Sequence, residues 1–586
     1  VSSRASSPNP NIHVSEILVA GLADAGLKAV CIAPGSRSTP LALAFDANPS
    51  IGTFVHPDER CASFFALGMA QASGRPVALV CTSGTAALEF HAAVAEAEMA
   101  GVPLLVLTAD RPPELRHSGA NQTIDQVKMY GDHVLWAVEA ALPEDDAPDV
   151  ALRNARTLAA RCYAVADGIR KGPVHINFPF RKPLEPDTPY SPSFDKGRSS
   201  SIQRGVLVPT AEQIEEMVAI VSAHERGWIV CGPWAGRPPC SLVAAVAELG
   251  RRTGYPVFAD PLSGLRFGPH TGNMPIIGSY ESFLQHAAGF EAPQVVIRFG
   301  AVPTSKYLNA YLERTAPAFQ VHVRSDGVWA DDSHRVHSYL QVDETVFCRQ
   351  LAERFCRPPG QWAASILAAE ENCRLLQERM LRQSWFDAAA AATAVAALPD
   401  DSNLFVGNSL PVRHVDQFAQ PDLKRIHVFG NRGASGIDGV VSSALGVAAA
   451  ERSRPMLLLI GDVSFYHDMN GLLAVSKFGL DNVTVVLLNN GGGGVFRRLP
   501  IAEEQTRFEG LFLTPPDLDF SLASEMYGLD FVRIQGEKGA GLVQAICAST
   551  RDGRPTVIEV CTDGARDERM RRKLIKSLTD HQEEYT

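Results

Sequence analysis

Two short stretches in the last third of the sequence combine residue types that hold a divalent cation. Gly461-Asp462 follows the apolar run Met456–Ile460, and Asn489-Asn490 closes the next run, Val483–Leu488, ahead of Gly491–Gly494. A carboxylate at one strand end and an amide at its neighbour can face one ion. Hard cations take such oxygens together with backbone carbonyls and phosphate oxygens. Glycines there let main chain approach a diphosphate without interference from Cβ. Gly-Asp alone reads better as a tight strand-to-helix turn; the second cluster, one strand later, reverses that and makes it a candidate site.

Other strings carry donors and acids. His56-Pro-Asp-Glu-Arg60 stands between a short strand and a helical stretch, Cys61–Ala70, where Asp58-Glu59 also suits an ordinary helix start. Ala33-Pro-Gly-Ser-Arg-Ser-Thr-Pro40, Thr82-Ser-Gly-Thr-Ala86 and Leu107-Thr-Ala-Asp-Arg-Pro-Pro-Glu-Leu115, which runs on to Gly119-Ala-Asn-Gln122, each follow a buried strand. They place Ser36, Arg37, Arg111, Asn121 and Gln122 at strand ends, and forked guanidinium donors with amides suit carboxylates. Cys81-Thr-Ser-Gly-Thr85 lacks the G-x-S-x-G elbow of a hydrolase. Val406-Gly-Asn-Ser-Leu-Pro-Val-Arg413 and Phe429-Gly-Asn-Arg-Gly-Ala-Ser-Gly-Ile-Asp-Gly439 add a serine, two arginines and a compact backbone, with no Gly-Lys-Ser/Thr to make a Walker loop. His91, His117, His175 and His427 show no metal spacing and read as structural, and the charge run Arg566–Lys576 reads as a solvated helix.

The elements that must position these residues follow from alternating apolar runs and helix-like stretches, the pattern of α/β domains with doubly wound parallel sheets. Runs at Ala29–Ala33, Val77–Cys81, Leu104–Leu107 and Val174–Phe178 form a first unit, with Ala86–Ala100 as a crossover helix. Trp228–Cys231, Pro256–Phe258, Val295–Phe299 and Phe319–Val323 form a second. A long helical stretch from Trp362 to about Leu398 leads to a third, with Leu404–Val406, Met456–Ile460, Val483–Leu488 and Thr556–Val560. Domains at 1–190, 200–360 and 361–586 are expected, with Pro186–Arg204 as a linker and Val1–Asn11 as a frayed tail. Pro76–Thr85 and Pro455–Ser464 both run from proline through a buried strand into a small-residue turn, a weak sign of duplication. In open α/β sheets ligands bind beyond the carboxyl ends of the strands, so both turns point at a site.

The 586 residues allow several cores, and the net charge of −11 disfavours nucleic acid and anionic lipid, leaving anions to a few local arginines. No apolar run approaches the ~18 residues of a membrane span. Eleven cysteines without a C-x-x-C pair fit a reduced, cytoplasmic setting.

The Gly-Asp and Asn-Asn words together resemble the diphosphate motif of the thiamine-diphosphate enzymes. The words around them, Gly461–Leu473 and Asn489–Phe496, resemble the menaquinone-biosynthesis branch of that family. The likeness covers nearly the whole chain and is sharpest in the first and third units. It implies thiamine diphosphate, with Mg2+ or Mn2+ held by Asp462, Asn490 and the Gly492 carbonyl. Glu59 would be the acid that exchanges a proton with the pyrimidine ring, a task helped by burial that raises its pKa. Ser83, Gly84, Asn408, Ser409, Gly436, Val463 and Ser464 would line the cofactor, and Ile437 would hold it bent. Val495, Phe496 and Leu499 would form an apolar wall. Ser36, Arg37, Arg111, Asn121 and Gln122 would take isochorismate, with Arg37 and Gln122 also serving catalysis. Ser409 and Arg413, with Arg432 nearby and Lys306 as a further candidate, would take 2-oxoglutarate, Arg413 being catalytic as well. The family places the cofactor between two subunits, so a homodimer or homotetramer is expected. Departures from the family pattern are Glu89 for the usual asparagine, Arg497-Arg498 for a small or apolar pair, and Lys306-Tyr307 where some relatives carry arginine. A different thiamine-dependent decarboxylase or an acetolactate-synthase-like enzyme would share Glu59 and Asp462 but not need the arginine-bearing strings. A non-catalytic binding protein would not need Glu59, Asp462 and Asn490 intact.

Overall fold

The computed structural model describes residues 9–186, 190–192, 197, 199–286, 291–504, 506–536 and 539–583. Three six-stranded sheets, all of parallel pairs, are built in succession along the chain. This is the α/β architecture expected from the alternating runs.

The first sheet uses β1 (Ala29–Ile32), β2 (Gly52–Val55), β3 (Val77–Cys81), β4 (Leu104–Asp110), β5 (Trp136–Glu139) and β6 (Pro173–Pro179), in the order β2-β1-β3-β4-β6-β5. The second uses β7 (Gly227–Cys231), β8 (Val257–Ala259), β9 (Ile276–Ile277), β10 (Val295–Phe299), β11 (Phe319–Val323) and β12 (Ser338–Leu340), in the order β12-β11-β10-β7-β8-β9. The third uses β13 (Ser402–Val406), β14 (Ile426–Phe429), β15 (Met456–Gly461), β16 (Val483–Asn489), β17 (Asp530–Ile534) and β18 (Thr556–Cys561), in the order β14-β13-β15-β16-β18-β17. The first and third sheets therefore share one winding, and the Pro76 and Pro455 strands, β3 and β15, occupy the same place in it. The second has the winding of dinucleotide-binding sheets, with its switch point between β7 and β10. That crevice is filled by its own main chain: Gly232 N–H donates to Phe299 (2.9 Å) and Ala301 N–H to Pro233 (2.9 Å). A Cβ on Gly232 would lie 1.8 Å from the Ala301 carbonyl oxygen.

The described residues form two compact units. One takes the chain to Arg204 together with Asn431–Ala450 and Asn470–Phe478; the other takes the remainder. In the first unit the helices Glu59–Ser73 and Val440–Ala450 pack backbone to backbone. A Cβ on Gly68 would fall 1.8 Å from the Ser443 carbonyl oxygen, and one on Gly446 would fall 2.0 Å from that of Phe65. The first sheet's core is aliphatic, centred on Val30, Ile32, Leu105, Leu107 and Ile176. In the second unit one core surrounds the central sheet and another gathers Leu404, Leu457, Val486 and Ile558 of the third.

Several expectations need correction. Residues 9–11 are not frayed: the helix Pro10–Ala25 starts there, Asn9 caps it, and the Asn9 and Asn11 amides bind the backbone of residues 181–185. Val1–Pro8 and parts of the linker lie outside the described residues. The stretch from Trp362 is two helices, Gln361–Gln383 and Asp387–Ala397. Trp385 and Phe386 interrupt it, Phe386 in extended backbone and fully buried. Ala86–Ala100 likewise divides at buried Phe90. The Arg566–Lys576 run lies in the helix Gly564–Glu583, but Asp567 and Glu568 on it are buried and paired with Arg498, Arg571 and Arg572.

Candidate active site

In the second unit, β15 ends at Gly461 and delivers Asp462 to the first turn of the helix Asp462–Asp468, where the carboxyl is 2% exposed. Its Oδ1 accepts from Val463 N–H (2.8 Å) and its Oδ2 from Gly492 N–H (2.7 Å). The two sequence clusters thus meet directly. Gly492 has to be glycine: its φ is +112°, and a Cβ would fall 2.0 Å from the Leu513 carbonyl oxygen. The Gly492 carbonyl accepts Gly494 N–H at 2.8 Å, which leaves one of its two lone pairs for a ligand. Asn490 follows β16, and its Nδ2 donates to Asp387 Oδ2 at 2.5 Å. Its Oδ1 is buried and accepts no hydrogen bond. Burial, opposed by the Gly492 and Val463 N–H groups and reinforced by Asp387, pushes the Asp462 carboxyl up to about 6. A buried carboxyl lifted in this way, an unfilled amide oxygen and a carbonyl with a spare lone pair are a donor set that fits a hard divalent cation. Because these atoms are oxygens only, soft-metal chemistry is disfavoured.

Around this corner lie Val463 and Phe496, half-buried, and Ser464, buried; Val495 is half-buried and Leu499 is 44% exposed. Phe496 packs on Phe512 with ring centroids 5.6 Å apart. Asn408 is buried past the end of β13, and Ser409 caps the helix Leu410–Phe418 with φ +70° and ψ −126°. That conformation is normally glycine's, costs roughly 1–3 kcal/mol, and tends to persist where a side chain must be aimed. The Arg413 guanidinium donates to the Ser409 carbonyl at 2.6 Å, so arginine and serine are held as a pair. Arg497 lies over the Phe508 ring, and Arg498 pairs with Asp567. Lys306 is exposed at the start of the helix Lys306–Thr315, and no described contact links it to these residues.

In the first unit, Asp58 caps the helix Glu59–Ser73 by accepting from Cys61 N–H at 3.1 Å, so Glu59 sits in the first turn, half-buried. Burial and then the Glu59 carboxylate push the Cys81 thiol up, which locates Glu59 beside the end of β3. His56 is packed between Phe65 and Phe478 and held down to about 4 by burial and then by Lys477.

The three strand-end strings, two of them bearing arginine, converge. A Cβ on Gly35 would fall 2.3 Å from Thr82 Cβ, so the first string needs glycine to lie against the second. Arg37 is buried, donates to the Phe180 carbonyl at 2.7 Å, and is lowered by burial and the nearby Arg111. Arg111 keeps a buried Nη1 without a hydrogen-bond partner. Neighbouring guanidinium groups suit a carboxylate. The Gln122 side chain donates to the Ser83 carbonyl at 2.9 Å, while Ser36 and Asn121 are exposed. Gly84 N–H donates to Gln126 Oε1 at 2.9 Å, and Gln126 in turn donates to the Ala109 carbonyl and to Asn177. Gln126 escaped the sequence reading because one glutamine in a loop carries no pattern. Glu89 is exposed on the short helix Thr85–Glu89.

The glycine-rich loop at 430–439 also belongs to this unit from Asn431 onward. Buried Glu96 accepts from the N–H groups of Gly433 (2.6 Å), Ala434 (2.8 Å) and Ser435 (3.0 Å) and lies near Arg432. Gly433 must be glycine, since a Cβ would meet Ala100 N and the Glu96 carbonyl oxygen at 2.7 Å. Gly436 and Ile437 follow, both half-buried. Glu96 too was missed by sequence reading, because its partners are more than three hundred positions away.

Comparison with known proteins shows the family. Residues 12–129 match the family "Thiamine pyrophosphate enzyme, N-terminal TPP binding domain" and residues 415–560 its C-terminal TPP binding domain. Residues 204–406 match the "Middle domain of thiamine pyrophosphate" family. The chain is 49% identical to a 2-succinyl-5-enolpyruvyl-6-hydroxy-3-cyclohexene-1-carboxylate synthase of Roseiflexus sp. (strain RS-1), over 97% of this chain and 98% of that protein. Proteins of the same name from Geobacillus kaustophilus and Halobacterium salinarum are 45% and 42% identical, over 95% and 98% of this chain and 96% and 99% of theirs. The crystal structure of benzoylformate decarboxylase from Polynucleobacter necessarius shares the fold, with a TM-score of 0.68 at 18% identity, covering 94% of this chain and 98% of that one. The chain therefore belongs to the 2-succinyl-5-enolpyruvyl-6-hydroxy-3-cyclohexene-1-carboxylate synthase family of thiamine-diphosphate-dependent enzymes.

Proposed function

We propose that this chain makes 2-succinyl-5-enolpyruvyl-6-hydroxy-3-cyclohexene-1-carboxylate for menaquinone biosynthesis. It would release one carboxyl of 2-oxoglutarate as carbon dioxide and join the remaining four-carbon fragment to the ring alkene of isochorismate by 1,4-addition. The observation that carries this reading is the near-full-length identity to proteins named for that synthesis, which spans both half-sites.

Asp462, Asn490 and the Gly492 carbonyl would hold Mg2+ or Mn2+ against the cofactor's diphosphate, with Asn408, Val463 and Ser464 beside it. Bound thiamine diphosphate supplies an electron sink that lets a 2-oxoacid lose carbon dioxide and turn its keto carbon into a nucleophile. Glu59 would hold and return a proton at the pyrimidine ring nitrogen, and Ser83 and Gly84 would line the cofactor. Ile437, on the loop tied down by Glu96, would support the cofactor with Gly436. Arg413 with Ser409, assisted by Arg432, grips the distal carboxylate of 2-oxoglutarate. Among the described residues no contact ties Lys306 to that pair, which favours Arg413 for the task. Arg37 and Arg111, with Ser36, Asn121 and Gln122, bind isochorismate. Val495, Phe496 and Leu499 would form an apolar wall beside the bound substrates.

The reading also makes the enzyme a cytoplasmic homodimer or larger, with Glu59 and Asp462 of one active site coming from different subunits. No described helix is long and apolar enough to cross a membrane. Incubation with isochorismate and either 2-oxoglutarate or pyruvate tests the chemistry: isochorismate should be consumed only with 2-oxoglutarate, and activity with pyruvate alone would refute the assignment. Mixing inactive E59Q and D462A subunits tests the sharing. Random pairing into two-site dimers should restore up to roughly a quarter of wild-type activity, and no restoration would place both residues on one chain.

A further inference from the structure

We propose that Asp387 decides which end of the Asn490 amide is presented to the cation; this rests on the reading of Asn490 as a cation ligand. A side-chain amide has a donor end and an acceptor end of nearly equal size, and only the oxygen can ligate a divalent cation. A residue that accepts from the nitrogen therefore fixes the ligand in its working orientation, as partners of metal-ligating side chains commonly do.

Asp387 meets that description. It is the first residue of the helix Asp387–Ala397, is fully buried, and lies 103 positions before Asn490 in sequence. Its Oδ2 accepts from Asn490 Nδ2 at 2.5 Å, and among the described residues this is the hydrogen bond the Asn490 side chain makes. The opposite end, Oδ1, is buried without a hydrogen-bond partner. An acceptor oxygen at this place holds the Nδ2 end of the amide and so turns its oxygen the other way. A helix N-terminus favours a negative charge at this position.

Asp387 lies beside two other buried titratable groups, His414 and Asp567. Ligand atoms of Asp387, His414 and Asp567 all lie within 4.8 Å of one another. Arg498 is 3.4 Å from Asp567 Oδ2, and Ala388 N–H reaches Asp567 Oδ1 at 3.4 Å. With a guanidinium already balancing Asp567, this group is not itself a second cation site.

The test is Mn2+ binding to the full-length protein in the presence of thiamine diphosphate, read from loss of the free-ion paramagnetic resonance signal. D387A should raise the Mn2+ dissociation constant about 10- to 100-fold. D387N, whose amide oxygen can still accept from Asn490, should stay within about threefold of wild type. N490A serves as the reference. If N490A weakens Mn2+ binding and D387A does not, the orienting role is overturned while Asn490 keeps its place as ligand. If N490A binds as wild type does, the ligand assignment itself falls. Equal weakening by D387A and D387N would trace the effect to charge and overturn the orienting role. Should D387A fail to fold by circular dichroism, D387N alone decides, and a tenfold loss there overturns the proposal.

Discussion

Removing the Glu96 carboxylate should release the loop that carries Arg432, Gly436 and Ile437. Three backbone N–H groups, those of Gly433, Ala434 and Ser435, converge on this one side chain at 2.6, 2.8 and 3.0 Å. Hydrogen bonds to a charged acceptor contribute ~1.5–3 kcal/mol each, and a buried donor left alone costs ~1–3 kcal/mol. Burial pushes the Glu96 carboxyl up and so offsets part of this gain. Ala434 is exposed, so water can replace its bond. The net cost of E96A is therefore about 2–4 kcal/mol for local order, and about half that for E96Q, which keeps one acceptor oxygen. Amide hydrogen exchange of the peptide spanning 430–439 measures this directly. At one decade of rate per ~1.4 kcal/mol, E96A should exchange roughly 30- to 1,000-fold faster, with unchanged protection in β3 and β4. Steady-state kinetics should show a lower kcat with a smaller effect on the isochorismate KM. Unchanged exchange at residues 433–435 in E96A would refute the idea that this carboxylate holds the loop.

Other expectations follow from single contacts. G68A should lower stability by about 3 kcal/mol, the upper end for an overpacked core, because its Cβ meets a backbone carbonyl 1.8 Å away; denaturant titration checks it. His56, held down to about 4 against ~6.5 unfolded, binds fewer protons folded than unfolded. Its share of stability, roughly 3 kcal/mol, is present above pH ~6.5 and lost as pH falls toward 4. H56F should flatten that slope in stability measured between pH 4 and 7. R37A should weaken isochorismate binding by ~2–5 kcal/mol and spare 2-oxoglutarate, and R413A should do the reverse; paired KM values decide.

The runs of buried aliphatics were legible because a strand covered on both faces has little choice of residue type: β3, β10, β11 and β15 fall on or within a residue of the expected positions. The edge strands β5, β12 and β17 were not, since they are half-exposed or mixed in burial and their sequences alternate weakly. The break at Trp385-Phe386 was invisible because alanine-rich sequence continues beyond it and carries no proline or glycine to mark a stop. At the site, Asp462 with Asn490 could be read from spacing along two adjacent strands. Glu96, Gln126 and Asp387 could not: each acts by one or a few hydrogen bonds to a distant segment, and a single buried polar residue leaves no period in the sequence.

The middle sheet adds a constraint on what this chain can become. Its strands are wound like those of a nucleotide carrier, yet the gap where a nucleotide would rest is occupied by two of its own turns pressed together at Gly232 and Gly300. New polar side chains at that edge would have nowhere to put a guest until those turns moved apart, and alanine at residue 232 would pry them open at the expense of the surrounding core. Drift in this part of the molecule is therefore steered toward its outer rim.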